Sequence, residues 1–272
     1  RRAHCGCSLR LPAFAVAAPL YWNLAMSFAL AVSIGNTRTQ IGRIVDGVVQ
    51  EFATVPSDSP TKALEQLVAW SKDVEKEDRI VLLASVRADT AKAMRSLVVD
   101  QIGAEIIELE QDLPVPIGRA LDSETIVGVD RLLTAAAAWS ELKQACIVVD
   151  VGTAVTVDFI DGEGIFQGGA IMPGTQAMLA SLTDSADLLP SVDYLPPEGE
   201  PFGRNTTDAM LRGVHTAIHG GVWKLVENYA LFYGGFPLVV ATGGDAEAIF
   251  TDDELISRIV PDLTLRGCAV PY

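Results

Sequence analysis

The chain is short of three things, and each shortage excludes a class of protein. Its 272 residues hold four cysteines, Cys5 and Cys7 near the start and the isolated Cys146 and Cys268. No further Cys or His stands at metal-ligand spacing beside them, so a zinc framework is excluded and a disulfide scaffold is disfavoured. Positive charge is scarce: 20 Lys and Arg face 35 Asp and Glu, a formal net charge of −15. That balance argues against nucleic acid as the main partner, because phosphate backbones recruit basic side chains. A phosphate-bearing substrate would need metal ions, backbone N–H groups or a few placed basic residues. The third shortage is of clean apolar runs. Leu11 to Thr37 carries no charge, but Pro12, Pro19 and Asn23 interrupt it and its last part is a strand feeding a glycine loop. The expectation is a reduced, cytoplasmic protein that is not a membrane protein.

What is present describes a globular chain: 49% hydrophobic and 20% charged residues, with length enough for two domains. The first 25 residues carry Arg1, Arg2 and Arg10 and no acid, which leaves the remainder at −18. No small-residue cleavage site separates their apolar stretch from the strand that follows, which disfavours a signal peptide. Residues 1–25 are therefore expected to be a leader or an over-extended start outside the fold, with the domain opening at Met26.

The remainder says one thing twice. "AVSIGNTRTQIGRIVDG" (31–47) reads as strand, glycine loop, strand and Asp-Gly turn, and "VVDVGTAVTVDFIDG" (148–162) reads the same way. After the first copy, "SPTKALEQLVAWSKDVEK" is a helix with Ser59 as cap and Pro60 at its first position. "RIVLLASV" and "AEIIELE" are strands around the helix "ADTAKAMRSLVVDQIG". A proline-rich crossing segment, "QDLPVPIGRALDSETIVG", leads to the helix "VDRLLTAAAAWSELKQ" and the second copy. Then come "GGAIMPGTQAMLASL" (a loop running into a helix), an irregular loop, a long helix from Thr206 to Tyr233, and the strand–turn–helix "FPLVVATGGDAEAIF". The predicted fold is α/β: two similar ribonuclease H-like, actin-like halves, 26–120 and 121–272, each a mixed sheet flanked by helices, with a cleft between them.

A glycine two residues past a polar strand end lets a backbone approach phosphate closely. Asn36, Thr37, Thr153 and Thr156 can donate to phosphate oxygens. In "ATGGDA", Gly243 and Gly244 would let a base or ribose lie against the backbone, although a Gly-Gly pair after a strand is also ordinary turn chemistry. Asp130 and Arg131 stand at a helix start, where two roles are open. Asp130 is either an acid favoured by the helix dipole or a general base for a hydroxyl, with Arg131 holding a carboxylate. His215 and His219 lie one helical turn apart without a third ligand, so packing or surface roles are expected rather than metal binding.

The ordered set "SIGNT", "GVDR", "DVGTAVT", "GGAIMPG", "GRNTTDAMLRG", "ATGGDA" and "PDLTLRG" resembles the type III pantothenate kinases, over nearly all of residues 28–267. The resemblance implies transfer of the ATP γ-phosphate to the primary hydroxyl of pantothenate, the opening step of coenzyme A biosynthesis. It also implies a homodimer, Mg²⁺ with ATP, and a monovalent cation, K⁺ or NH₄⁺. On that resemblance Asp130 is the proton acceptor, and Leu121, Gly128, Val129, Asp130 and Arg131 contact pantothenate. Thr206 is the contact supplied across the dimer interface, and Asp150 the monovalent-cation ligand. The ATP contacts are the loop Ser33, Ile34, Gly35, Asn36, Thr37, Arg38, Thr39 and Gln40, together with Thr153, Gly243 and Gly244.

Three positions in two places depart from the family pattern. Ser33 stands where the first loop has Asp, and a hydroxyl brings no negative charge to a metal–phosphate assembly. Losing such a carboxylate commonly lowers rates by roughly 10²–10⁴. Leu121 and Glu124 replace a Tyr and a Pro. The expected function is a working pantothenate kinase. The alternative is a weak or silent homologue that binds nucleotide or pantothenate as a regulatory or accessory protein.

Overall fold

The computed structural model describes residues 27–271. The expected leader, Met26, Cys5 and Cys7 lie outside them. The first sheet contains β1 (Phe28–Ile34), β2 (Arg38–Val45), β3 (Val48–Pro56), β4 (Ile80–Ser85) and β5 (Glu105–Glu108) in the order β3-β2-β1-β4-β5. The second contains β6 (Gly118–Arg119), β7 (Cys146–Val151), β8 (Ala154–Ile160), β9 (Ile165–Pro173), β10 (Leu238–Thr242) and β11 (Arg258–Ile259) in the order β11-β10-β7-β8-β9-β6. Reading β7 to β11 against β1 to β5 gives the same sheet twice. In each, three antiparallel strands lead and two parallel strands follow. The two-residue β6 extends the second sheet beyond β9, so the crossing segment reaches that sheet before Leu121.

The helices are α1 (Pro60–Trp70), α2 (Ala88–Gln101), α3 (Val129–Leu142), α4 (Thr175–Ser185), α5 (Thr206–Tyr233), α6 (Ala246–Phe250) and α7 (Leu263–Cys268). They fall into layers that the strand alternation dictates. Phe28, Leu30, Val32 and Ile34 of β1 face α1 and α2, whereas Ala29 and Ala31 face a central core built on α3 and α7. In β7, Ile147, Val149 and Val151 face α4, α5 and α6, and Cys146 and Val148 face the same central core. Small side chains let this middle layer close up. Ala135 to Ala138 are all buried, and a Cβ on Gly267 of α7 would lie 2.3 Å from the Leu133 carbonyl oxygen of α3.

The first hairpin turns at Asp46-Gly47 with φ of 50° and 73°, as that dipeptide predicts. The second turn is longer. Asp161 Oδ1 accepts from the N–H groups of Glu163 and Ile165, and Gly164 (φ 79°) lies beneath the Trp139 ring. Two local expectations are corrected. Ser59 occupies the cap position of α1, but its hydroxyl donates to Asp58 Oδ1 rather than capping the helix. "GGAIMPG" is not a loop: it belongs to β9 up to Pro173. A Cβ on Gly169 would sit 2.2 Å from the Val157 carbonyl oxygen, so glycine is what lets β9 lie flat across β8. The two-residue strands β6 and β11 are too short to leave a periodic signal.

Candidate active site

The central core ends where β1 and β7 end, and there the chain changes from apolar to polar. Ser33 shares the inward parity of Ala29 and Ala31, and Asp150 that of Cys146 and Val148, so the two occupy matching places in the two sheets. The loops beyond them are alike but not identical. Gly35 donates its N–H to the Arg38 carbonyl oxygen at 3.0 Å, and Gly152 donates to that of Ala154 at 3.0 Å, so the first loop is one residue longer. It is braced from below: the Ser57 hydroxyl donates to the Gly35 carbonyl oxygen, and Thr39 Oγ1 lies 3.0 Å from Ser57 Oγ. Asn36, Thr37 and Arg38 are exposed, whereas Ser33, Ile34 and Thr39 are buried. Gln40 leaves the loop and donates to the Pro261 carbonyl oxygen, tying β2 to the segment before α7.

The two loops meet. Thr37 Oγ1 lies 2.8 Å from Thr153 Oγ1, although 116 positions separate them. The "TGGD" turn closes one side. Gly243 has φ 96°, and a Cβ there would lie 2.4 Å from the Val151 carbonyl oxygen and 2.5 Å from Asp150 Oδ1. A Cβ on Gly244 would collide with the Arg38 guanidinium, so one of the loop's basic groups rests on bare backbone. Next to this turn, Thr175 Oγ1 donates to Asp245 Oδ2 at 2.6 Å.

Asp130 and Arg131 enter on the first turn of α3, whose cap is Gly128. Asp130 Oδ1 accepts the Arg131 N–H at 2.8 Å, so the helix-start role is real, and the half-buried carboxylate keeps its other oxygen. Val129 is buried beneath it, and a Cβ on Gly128 would lie 2.5 Å from Asp130 Oδ1. Leu121 is half-buried against the central core beside Gly168. The Arg131 guanidinium is not loose. Its Nε lies 3.1 Å from each oxygen of Asp158, its Nη2 also donates to Asp158, and its Cζ sits 5.6 Å from the Phe166 ring centroid. Asp158 was not singled out from the sequence. Its signal there is an acid at an inward strand position between Thr156 and Ile160.

Electrostatics separate these acids. Burial, then the negative charges of Asp130 and Asp158, push the Asp150 carboxyl up to about 7. Burial likewise pushes Asp158 up, while Arg131 and the Thr156 hydroxyl pull it back. Its hydrogen bonds to the Asp158 carboxylate raise Arg131, which stays cationic. Among the described residues no three His, Cys, Asp or Glu side chains converge into a metal cage. A cation here would complete its shell with phosphate oxygens and water. The residues fit such a group: carboxylates that repel one another, beside loops with exposed hydroxyls and glycines that make room for phosphate.

Thr206 stands apart, exposed on the first turn of α5, where Asn205 Oδ1 caps the helix through the Asp208 N–H. The histidines of α5 have protein partners. His215 Nδ1 lies 2.8 Å from the Tyr194 hydroxyl, and His219 pairs with Asp253. No described helix is long and apolar enough to cross a membrane.

Comparison with known proteins agrees with this geometry. Solved structures that share the fold include the following two. A Campylobacter jejuni protein assigned to the Baf family of transcriptional activators superposes with a TM-score of 0.54 at 20% identity, covering 88% of this chain and 94% of that one. A Sinorhizobium meliloti protein assigned as a 2-dehydro-3-deoxygalactonokinase gives 0.55 at 12% identity, covering 89% and 96%. In sequence, the type III pantothenate kinases of Syntrophotalea carbinolica and Moorella thermoacetica are each 30% identical over 249 residues, spanning 89% of this chain and 97% and 98% of the relatives. That of Rhodopirellula baltica is 45% identical over 126 residues, 44% of either chain. The family model described as type III pantothenate kinase matches residues 29–228, most of the chain, and the chain belongs to that family.

Proposed function

We infer that family membership is expressed here as catalysis: the chain transfers the γ-phosphoryl group of ATP to the primary hydroxyl of pantothenate, giving 4′-phosphopantothenate. The observation that carries this reading is the meeting of the two glycine loops, Thr37 against Thr153, at the strand ends where Asp130, Asp150 and the Arg131–Asp158 pair gather. Asp130 takes the hydroxyl proton through its uncommitted oxygen as the hydroxyl attacks phosphorus. Arg131 holds the pantothenate carboxylate. Gly35, Gly243 and Gly244 let phosphates and ribose come close to backbone, and Thr37 and Thr153 donate to phosphate oxygens. Bound with ATP, Mg²⁺ supplies neutralising charge to the phosphates, and K⁺ or NH₄⁺ supplies it at Asp150. Ser33, buried at the end of β1, would offer a hydroxyl where the family resemblance implies a carboxylate.

A homodimer belongs to the same reading. Thr206 is exposed, and the loop before it also exposes Leu195 and Phe202, which suits delivery of Thr206 to a second protomer's site. The two halves divide near residue 120, and the reaction suits the cytoplasm. The silent-homologue alternative rests on Ser33 and on the Leu121 and Glu124 departures. The Campylobacter likeness is one of fold, whereas relatives at 30% identity over most of the chain are named as kinases.

The test is ADP release with ATP, Mg²⁺ and K⁺, with and without pantothenate. Pantothenate-dependent turnover is expected, with a loss of about 10³-fold in Asp130→Asn and a change of at most about threefold in Ser33→Asp. Silence in the parent with activity in Ser33→Asp would make Ser33 a lost carboxylate. Silence in both would refute the kinase.

A further inference from the structure

Arg131 is the basic side chain that carries the substrate reading, and a solvated arginine is a poor clamp because its stem has several free rotors. Here three observations remove that freedom. Asp158, with none of its surface exposed, receives Nε and Nη2 together in the side-on fork. The buried Phe166 ring lies under the guanidinium at 5.6 Å. Asp158 is in turn fixed by its strand: it pairs with Val148 on one side and Gly169 on the other. A Cβ on Gly169 would come within 2.3 Å of Asp158 Oδ1, so the glycine is what leaves room for the carboxylate.

The donor count follows from this geometry. A guanidinium has five N–H groups, and the side-on fork uses Nε and one hydrogen of Nη2. The second hydrogen of Nη2 and both of Nη1 remain, and the outer hydrogen of each forms the end-on edge, which is itself a fork matched to a carboxylate. Among the described residues no acceptor takes a hydrogen from Nη1. The Arg131 side chain keeps 16% of its surface accessible.

We propose that Asp158 is a positioning residue for substrate recognition, holding Arg131 by one edge so that its other edge presents a preformed fork to the pantothenate carboxylate. This rests on the pantothenate reading of the site. The Asp158 carboxylate bonds Arg131 and neither of the loop hydroxyls Thr37 and Thr153, so its role lies in binding the acid end of the substrate and not in phosphoryl transfer. It also lowers the net charge that Arg131 offers, so the clamp selects by geometry and not by attraction to any anion.

The experiment compares Asp158→Asn with the parent on two substrates: pantothenate, and the analogue in which the carboxylate is replaced by a hydroxymethyl group. The amide keeps the size but places an N–H₂ against the arginine donors, which breaks the fork. The expected result is a rise of about tenfold in KM for pantothenate, larger than any change in kcat or in the KM for ATP, which Asp158 reaches only through its field at Asp150. On the carboxylate-free analogue, variant and parent should be alike. Phe166→Leu removes the other support and should show the same substrate-dependent pattern at smaller size. It stands in if Asp158→Asn does not fold, as judged by circular dichroism. An equal penalty on both substrates, a penalty in ATP binding as large as that in pantothenate binding, or tighter pantothenate binding in Asp158→Asn would overturn the positioning role while leaving the kinase intact. A parent that does not turn over pantothenate would instead refute the functional reading beneath it.

Discussion

Thr37 Oγ1 and Thr153 Oγ1 lie 2.8 Å apart, the last residues of two glycine loops that descend from different sheets. Each hydroxyl is the other's hydrogen-bond partner, so neither is committed to backbone and both are available to a phosphate oxygen inserted between them. Replacing either with valine preserves shape and removes the donor. Thr37→Val and Thr153→Val are expected to raise the KM for ATP by about tenfold each, with the KM for pantothenate unchanged. The double variant should cost less than the sum, because the pair forms one cradle. Initial rates over an ATP series decide it.

Gly243 and Gly244 are adjacent but should respond differently to alanine. Gly243 has φ 96° and its Cβ would strike the Val151 carbonyl oxygen at 2.4 Å, a backbone atom that cannot swing aside. Gly244 meets only the far end of Arg38, which can swing away. Gly243→Ala is expected to lose about 1–3 kcal/mol of stability as well as ATP affinity. Gly244→Ala should keep its stability and lose ATP affinity alone. Urea unfolding and ATP titration separate the two.

The middle layer gives a prediction away from the site. Gly267 of α7 faces the Leu133 carbonyl oxygen so closely that a methyl would lie 2.3 Å from it. Gly267→Ala should push α7 off α3 and cost about 1–3 kcal/mol, read as a lower urea midpoint, with kcat of the folded protein preserved.

The histidine pair on α5 sets a pH dependence. Burial, then the charge of His219, holds His215 below the usual 6.5, with the Tyr194 hydroxyl on its Nδ1 and Asp253 facing His219. The unfolded chain therefore binds more protons than the folded one just below pH 6.5, so stability falls as the pH drops through that region. His215→Gln should flatten this part of the profile and leave stability at pH 8 little changed. Thermal unfolding between pH 5 and 8 measures it.

Much of the site was legible because it is local. Ser33, Gly35, Asp150 and Gly152 repeat a short pattern at matching strand ends, and strand alternation alone turns Ser33 and Asp150 to the same inward side. Asp130 and Arg131 announce a helix start within a few residues. What could not be read were partnerships set by distant segments. Asp158 looks like any acid in a strand until α3 brings Arg131 to it across 27 positions. Arg38 looks like a loop cation until Gly244 is laid against it. The glycines of "GGAIMPG" suggested a loop because their reason is external: β8 lies too close for side chains.

The sequence by itself determined the duplicated architecture, the paired glycine loops and the family, since periodicity, turn chemistry and motif order are carried by neighbours along the chain. Tertiary structure decided which hydroxyls meet, which edge of Arg131 is left open, and which acids share a field. These depend on how two sheets close around α3 and α7, and buried small residues such as Ala136 and Gly267 set that spacing only after the layers have packed.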